Sequence, residues 1–206
     1  MKQKHFIDSH KGVTFLAVLA LMAIFNAWQN TTAWVYLAIH GTYGWLWVLK
    51  SRVFPDRQWE QPCGIGYGLT IWAGLTLYWI APYLITSRGI QAPNGLLALA
   101  LAMFGVGIFL HFAADMQKHT ALAYAPGQLI TGGLFAQVRN TNYLGELLIY
   151  TSFALLAMHW LPWLVIALFL LVVWLPNMLK KDRSLARYPQ FEQYRKTTRW
   201  LLPFLF

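Results

Sequence analysis

The sequence predicts an all-α integral membrane protein with about six transmembrane helices. Of the 206 residues, 58% are hydrophobic and only 11% are charged, whereas a soluble domain carries about 25% charged residues. The mean hydropathy is +0.45, and several apolar runs approach the ~20 residues that cross a bilayer. Lys and Arg are concentrated in alternate loops. These observations exclude a soluble globular domain.

The apolar runs define six predicted segments. In chain order they are Val13–Trp28, Trp34–Leu49, Ile65–Ile85, Gly95–Ala114, Tyr143–Met158 and Leu161–Leu179. Trp and Tyr cluster near most of the segment ends, as in the aromatic belts of membrane proteins. The fifth and sixth segments are separated by a few residues next to Pro162, which predicts a tight hairpin.

Lys and Arg set the predicted orientation, because basic loops stay in the cytoplasm. The residues in the N-terminal flank, the loops after the second and fourth segments and the tail are Lys2, Lys4, Lys11, Lys50, Arg52, Arg57, Lys118, Arg139, Lys180, Lys181, Arg183, Arg187, Arg195, Lys196 and Arg199. The opposite loops contain Arg88. Both termini are therefore predicted to lie in the cytoplasm.

We expect a single polytopic domain over residues 1–206, with 1–112 on the substrate side and 113–206 on the cofactor side. The net charge of +9 does not indicate nucleic acid, because the cations lie in short clusters between apolar runs. The single cysteine, Cys63, excludes an intramolecular disulfide, and the six His residues lack ligand spacing, so no metal site is expected. The predicted location is the bacterial inner membrane or the endoplasmic reticulum.

The stretch VRNTNYLGELLIY places polar residues at the start of the fifth segment. Asn142 and Glu146 are four residues apart and share a helix face, with Arg139 just before them. Lipid does not accommodate such groups without partners, so either the protein or a polar ligand must satisfy them. Asn142 taken singly is explained equally well as a helix N-cap. A cap does not account for Arg139, Asn142, Tyr143 and Glu146 together.

Further polar residues lie on the same predicted cytosolic side. Asp115 and Lys118 follow the fourth segment, and the tail carries Lys181, Arg183 and Tyr188. Arg and Lys suit phosphate, while Asn and Asp suit amide or sugar hydroxyl groups. This set predicts a polyanionic nucleotide in a cytosol-facing pocket, although each cation taken singly also suits a membrane anchor. No G-x-G-x-x-G motif is present, which excludes a Rossmann domain.

The segment GGLFAQVRNTNYLGE, the apolar hairpin after it and the tail FEQYRKTTRWLLPFLF resemble the C-terminal half of the steroid 5-alpha-reductase family. The resemblance covers roughly residues 113–206. It implies that NADPH binds from the cytosolic side and that hydride passes to an activated C=C bond. By motif match, Asn142, Glu146 and Asp115 would contact the cofactor. The tail departs from the family, which has consecutive histidines where this chain has Lys180-Lys181-Asp182-Arg183.

A second resemblance is to isoprenylcysteine carboxyl methyltransferases and related phospholipid methyltransferases. They read R-H-P-x-Y-x-G where this chain has RNTNYLG, and Lys181-Asp182 stands where they carry paired glutamates. S-adenosylmethionine is a cation without phosphate, so the basic residues here favour the reductase. A methyltransferase acting on a lipid or prenylated acceptor stays the alternative, and a non-catalytic membrane scaffold is a third.

Reduction of a polarised alkene also needs an acid that acts on the substrate carbonyl. The resemblance implies that a Glu and a Tyr of the N-terminal half grip this carbonyl. The candidates for the acid are Glu60, Tyr78 and Tyr43, with Tyr83 and His40 as further alternatives. Ionisable groups at membrane depth indicate function, but Tyr43 and Tyr78 can equally be belt or packing residues. The expected substrate is a lipophilic steroid, prenol or enoyl compound, with membrane lipids as the other partners.

Overall fold

A computed structural model describes residues 1–203 of the protein. Within this range the chain is all-helical and contains no β-strand, which confirms the predicted all-α class. Two isolated bridges, Lys2 with Pro62 and Val138 with Arg199, are the strand-like pairings of the described chain. Residues 204–206, which end the tail motif, lie outside the described residues.

Ten α-helices follow one another in the described part of the chain. They are α1 (Gln3–Ile24), α2 (Thr31–Tyr36), α3 (Thr42–Val53), α4 (Ile65–Thr76), α5 (Ile80–Ser87), α6 (Asn94–Tyr124), α7 (Thr141–Leu156), α8 (Trp160–Phe169), α9 (Leu175–Leu185) and α10 (Phe191–Thr197). Two π-helical turns join α2 to α3 and α8 to α9, namely Leu37–Gly41 and Leu170–Trp174. Two 3₁₀ turns, Leu77–Trp79 and Gly133–Phe135, join α4 to α5 and precede α7.

Four helical stretches of the described chain are long and apolar enough to cross a membrane: α1, α4 with α5, α6, and α8 with α9. They match the first, third, fourth and sixth predicted segments. The second predicted segment lies within the helical run from α2 to α3. The fifth overlaps α7, which has 16 residues, but its predicted end at Met158 lies two residues beyond the end of the helix at Leu156. Four such helices are compatible with an integral membrane protein. Six spans and cytoplasmic termini stay predictions.

The first helix begins earlier than its apolar run. α1 starts at Gln3, ten residues before the predicted segment at Val13. Its first half buries polar side chains, among them His10 and Lys11. A hydropathy pattern misses these turns, because their polar groups face partners inside the protein instead of lipid.

The chain divides into two compact units. The first unit holds residues Met1–Phe104 and Tyr150–Val165, and the second holds Gly105–Ile149 and the chain from Ile166 onward. In the first unit, α3 approaches the backbone of α1 closely at Gly44, where an added Cβ would overlap the carbonyl oxygen of Lys11. This glycine therefore permits the close crossing that fixes the position of Lys11.

In the second unit, α6 and α7 cross with direct backbone contact at Gly107 and Gly145. A Cβ added to Gly145 would lie 2.7 Å from the carbonyl oxygen of Gly107 and 2.9 Å from Cα of His111. Small residues let membrane helices approach in this way. The glycine of the NYLGE motif thus has a structural role, because the absence of a side chain at Gly145 allows the first turns of α7 to pack directly against the backbone of α6.

Hydrogen bonds tie the C-terminal tail to the segment before α7. The backbone N–H of Arg139 donates to the carbonyl of Arg199 over 2.9 Å, and the N–H of Arg199 donates to the carbonyl of Gln137 over 2.7 Å. The Tyr194 hydroxyl donates to the carbonyl of Phe135 over 2.7 Å. Burial raises the pKa of Tyr194 to about 12, as expected for a phenol held in its neutral form.

Candidate functional site

Asn142 lies in the first turn of α7 in the second unit. The helix begins at Thr141, and the side-chain oxygen of Asn142 is shielded from solvent without a hydrogen-bond partner among residues 1–203. Asn142 therefore does not act as the N-cap. Its backbone carbonyl lies 3.0 Å from Nδ1 of His111. A carbonyl can only accept, so Nδ1 of His111 carries the proton in this contact.

Asp115 lies one turn further along α6 than His111, and both side chains are buried. The close crossing at Gly145 brings the start of α7 against this part of α6. Two regions that the sequence separates by about thirty residues are thereby neighbours in the second unit. An amide and a carboxylate oxygen of this kind accept hydrogen bonds from amide, amino or hydroxyl groups.

Arg139 is held by the protein itself. Its guanidinium is 6% exposed, and Nη1 donates to the carbonyl and the hydroxyl of Thr198 over 2.9 and 3.1 Å. Nη2 pairs with Oδ2 of Asp182 at 3.3 Å. Lys181 in turn donates from Nζ to the carbonyl of Arg139 over 2.6 Å. These two predicted cofactor cations therefore join the tail to the start of α7.

The other predicted cofactor residues of the second unit are more accessible. Lys118, Tyr143 and Glu146 are half-buried, and Arg183 is exposed. Tyr188 accepts a hydrogen bond from the neighbouring Arg187 guanidinium over 3.0 Å. The unit carries nine Lys and Arg against four Asp and Glu, so its field favours an anionic ligand.

Two predicted catalytic tyrosines meet in the first unit around a residue that the sequence reasoning missed. Lys11 is 4% exposed, and its Nζ donates to the hydroxyl of Tyr150 over 2.7 Å. The same ammonium lies 4.1 Å from the ring centroid of Tyr43. The ring of Tyr78 stacks on that of Tyr150 with centroids 4.0 Å apart. We call Lys11, Tyr43, Trp47, Tyr78 and Tyr150 the Lys11 cluster.

Glu60 makes a different set of contacts. Its carboxylate pairs with Lys2 at 2.6 Å, just before α1, and with Lys4 at 2.5 Å, in the first turn of α1. Hydrogen bonds from Lys2 and then Lys4 lower the pKa of the Glu60 carboxyl. The group is held as a carboxylate, which is a hydrogen-bond acceptor and not a proton donor near neutral pH.

The signal for Lys11 was present in the sequence but was used for another purpose. Lys11 lies eight residues inside α1 and close to the predicted start of the first segment, a position that in the sequence indicates a cytoplasmic flanking charge. Tyr150 lies within an apolar run and has no distinctive neighbours in sequence. Their contact joins residues 139 positions apart, which a single sequence does not reveal.

Comparison with known proteins places the chain in a family. The family described as "Protein of unknown function (DUF1295)" matches residues 70–198, more than half of the sequence. The chain belongs to DUF1295. This family is linked to steroid 5-alpha-reductase-like proteins. The DUF1295 match includes Tyr78, Tyr150 and every predicted cofactor residue, whereas Lys11, Tyr43 and Glu60 precede it.

A relative of this DUF1295 protein is an uncharacterized protein of Schizosaccharomyces pombe. The two sequences are 37% identical over 110 residues. The aligned part is 52% of this chain and 38% of the relative. The chain thus matches well under half the length of that protein.

Proposed function

We propose that this protein is a membrane-embedded, NADPH-dependent reductase that transfers hydride to an activated C=C bond of a lipophilic substrate. The observation that carries the proposal is the buried side-chain oxygen of Asn142, which has no hydrogen-bond partner among the described residues. A buried acceptor without a partner costs about 1–3 kcal/mol, so its presence at a motif position favours a ligand that supplies the missing donor. The steroid, prenol and enoyl classes of substrate stay open.

Asn142, Glu146 and Asp115 match cofactor-binding positions of the steroid 5-alpha-reductases. By this resemblance, the donor that pairs with the Asn142 side-chain oxygen would belong to the cofactor. Nicotinamide and ribose carry amide and hydroxyl donors of the required kind. The link between DUF1295 and reductase-like proteins supports the same assignment. In this proposal the six apolar segments span the membrane with both termini in the cytoplasm, and the start of α7 opens to the cytosol.

The phosphates of the cofactor need cationic side chains that are accessible to a ligand. Arg139 and Lys181 donate to Thr198, Asp182 and backbone carbonyls, so their contribution is to fix the tail. The exposed Arg183 on α9 is better placed to bind phosphate, because its side chain reaches solvent. We therefore assign phosphate binding to Arg183.

The test is the thermal stability of the detergent-purified protein with NADPH, NADH and S-adenosylmethionine in parallel. A ligand that binds only the folded state stabilises it by about 2.7 kcal/mol at a hundredfold excess over its Kd. We expect NADPH to raise the melting temperature of the wild type and not of Asn142→Ala. Because the Asn142 amide oxygen has no hydrogen-bond partner within residues 1–203, the ligand-free melting temperature of this variant should change little.

The matched control is Gln193→Ala, which removes an exposed amide side chain from α10. It should keep the full shift with NADPH. A shift with S-adenosylmethionine and not with NADPH would replace the reductase by the methyltransferase. No shift with any of the three ligands would contradict both enzymes and favour the membrane scaffold.

A further inference from the structure

A cleft in the first unit lies beside the first two turns of α1. Its walls come from α1, from the last turns of α3 and from the loop that follows α3. Among the described residues that line it, three carry carboxylates and two are lysines. A cleft that presents charges of both signs suits a zwitterion better than a simple anion or cation.

Asp8 is the lining residue with an unused hydrogen-bond acceptor. Its Oδ2 accepts a hydrogen bond from the Ser51 hydroxyl over 2.8 Å. Its Oδ1 is shielded from solvent and has no hydrogen-bond partner among residues 1–203. A shielded carboxylate oxygen without a donor is unfavourable. The cleft therefore favours a ligand that brings an N–H or O–H group to Asp8.

The contacts of the neighbouring carboxylate indicate the charge of this donor. Glu60 is already paired with Lys2 and Lys4. The hydrogen-bond partner of Asp8, by contrast, is the neutral hydroxyl of Ser51. An ammonium group would give the Asp8 carboxylate a charge-assisted hydrogen bond, which is stronger than one from a neutral donor.

The position of the cleft along α1 indicates the source of the ligand. Lys4 and Asp8 precede Val13, where the apolar run of α1 begins. In a helix long and apolar enough to cross a membrane, the turns just before the apolar run lie at the level of the lipid headgroups. Trp47 and Trp59 also line the cleft, and Trp is enriched at this level. The zwitterions closest to such a cleft are membrane phospholipids.

We propose that this cleft binds the headgroup of a phospholipid that carries a primary ammonium group, as phosphatidylethanolamine does. The ammonium donates to Oδ1 of Asp8, and the nearby ring of Trp59 attracts the same positive charge. The lipid phosphate accepts from Lys4, whose ammonium has three donors and keeps its pair with Glu60. A trimethylammonium headgroup has no N–H to donate, so the cleft discriminates against phosphatidylcholine.

The site also gives Glu60 a role that its contacts allow. Its carboxylate holds the ammonium of Lys4, which lies four residues before Asp8 and therefore on the same face of α1. The two groups that would contact the headgroup are thus positioned together. Headgroup binding uses neither Asn142 nor a nicotinamide cofactor, so it does not depend on the proposed reductase function.

The experiment is thermal unfolding of the detergent-purified full chain with short-chain phosphatidylethanolamine, phosphatidylcholine and phosphatidylglycerol at equal concentrations. Ethanolamine phosphate, the free headgroup, is the fourth ligand. We expect phosphatidylethanolamine to raise the melting temperature more than the other two lipids do. The free headgroup should give a much smaller shift, because it lacks acyl chains that can pack against the apolar surface of the protein.

Asp8→Asn tests the acceptor with almost no change of shape. Its amide oxygen can keep the hydrogen bond from Ser51, which places the NH₂ group, a donor, where the ammonium would lie. The concentration of phosphatidylethanolamine that gives half of the shift should rise roughly 10- to 100-fold, as expected for the loss of a hydrogen bond to a charged group. Glu192→Gln, which alters an exposed carboxylate of α10, is the matched control and should leave this concentration unchanged.

Lys4→Gln provides a second test that does not alter Asp8. Lys2 still pairs with Glu60 in this variant, while the lipid phosphate loses its donor, so binding of phosphatidylethanolamine should again weaken. This test decides the matter if Asp8→Asn does not fold.

Three outcomes would overturn the inference. They are equal shifts with phosphatidylethanolamine and phosphatidylcholine, wild-type affinity in both Asp8→Asn and Lys4→Gln, and no shift with any lipid. A shift with ethanolamine phosphate as large as that with the lipid would overturn the assignment to a membrane lipid and indicate a soluble zwitterion. NADPH is absent from every sample, so none of these results bears on the reductase.

Discussion

Replacing Gly145 by alanine tests the helix crossing on which the candidate cofactor site depends. The added Cβ would lie 2.7 Å from the Gly107 carbonyl oxygen and 2.9 Å from Cα of His111, and it would overlap the backbone nitrogen of His111. All three atoms belong to the backbone of α6. No change of side-chain rotamer relieves the overlap, so α6 and α7 have to move apart.

The size of the effect follows from these distances. The contact with Gly107 is about 0.7 Å shorter than the ordinary minimum of 3.4 Å. Overpacking of this kind costs about 1–3 kcal/mol, and the better helix propensity of alanine returns at most about 1 kcal/mol. Because every atom contacted is backbone, we expect the upper part of that range and a net loss of about 1–2 kcal/mol.

The assay is thermal unfolding of the detergent-purified variant, followed by the shift with NADPH. The separation of the helices also lengthens the contact between the Asn142 carbonyl and His111, so Gly145→Ala should bind NADPH more weakly. Gly105→Ala is the matched control on α6, because a Cβ there meets nothing within 4 Å. It should be neutral or slightly stabilising. Equal melting temperatures for Gly145→Ala and Gly105→Ala would refute the close crossing.

Three further predictions concern charges and pH. Arg139→Met removes one partner of a largely buried ion pair and should destabilise the protein by about 3 kcal/mol. An unchanged unfolding midpoint would contradict the stabilising role of the contacts between Arg139, Asp182 and Thr198. Burial raises the pKa of Tyr194 to about 12, so the folded state holds this proton more tightly and stability should fall as pH rises from about 10 toward 12. Between about pH 10 and 12, the unfolding midpoint of Tyr194→Phe should therefore fall less steeply than that of the wild type. The same pH dependence in both proteins would exclude the Tyr194 proton as the cause. Hydrogen bonds from two N-terminal lysines lower the pKa of Glu60, so its contribution to stability is present above the ordinary value near 4.5 and is lost as pH falls through the folded pKa. The melting temperatures of wild type and Glu60→Gln should therefore converge on acidification, and a constant difference would contradict this linkage.

The long apolar helices were predictable from the sequence because lipid-facing residues form continuous runs. The structure agrees for four segments, but the start of α1 shows where this reasoning ends. Residues Gln3 to Gly12 include polar side chains that pair inside the protein, so they are helical without being apolar. Hydropathy predicts helices whose side chains face lipid. It does not predict helical turns whose polar side chains have partners inside the protein.

At the start of α7, the place of Asn142 in the first helical turn was predictable from the sequence, whereas the partners of Arg139 were not. The position of Asn142 depends on local helix geometry, and a glycine three residues later permits the contact with α6. The partners of Arg139, Asp182 and Thr198, are 43 and 59 residues away in the chain. A single sequence does not distinguish an arginine that binds phosphate from one that holds the tail in place. The difference lies in hydrogen bonds to residues that are distant in the chain.

The same distinction bears on membrane orientation, which was argued from the number of basic residues on each side. The positive-inside bias acts through charges near the membrane surface, whereas Lys11 and Arg139 are buried and hydrogen-bonded inside their units. Removing both from the count leaves Lys2 and Lys4 in the N-terminal flank, Lys50, Arg52 and Arg57 after the second segment, Lys118 after the fourth segment and the basic tail. The opposite loops still carry Arg88 as their one basic residue. The tail, with seven Lys and Arg residues, is the largest of these basic groups. Reversing the charges of the tail is therefore the substitution that should shift the predicted orientation most.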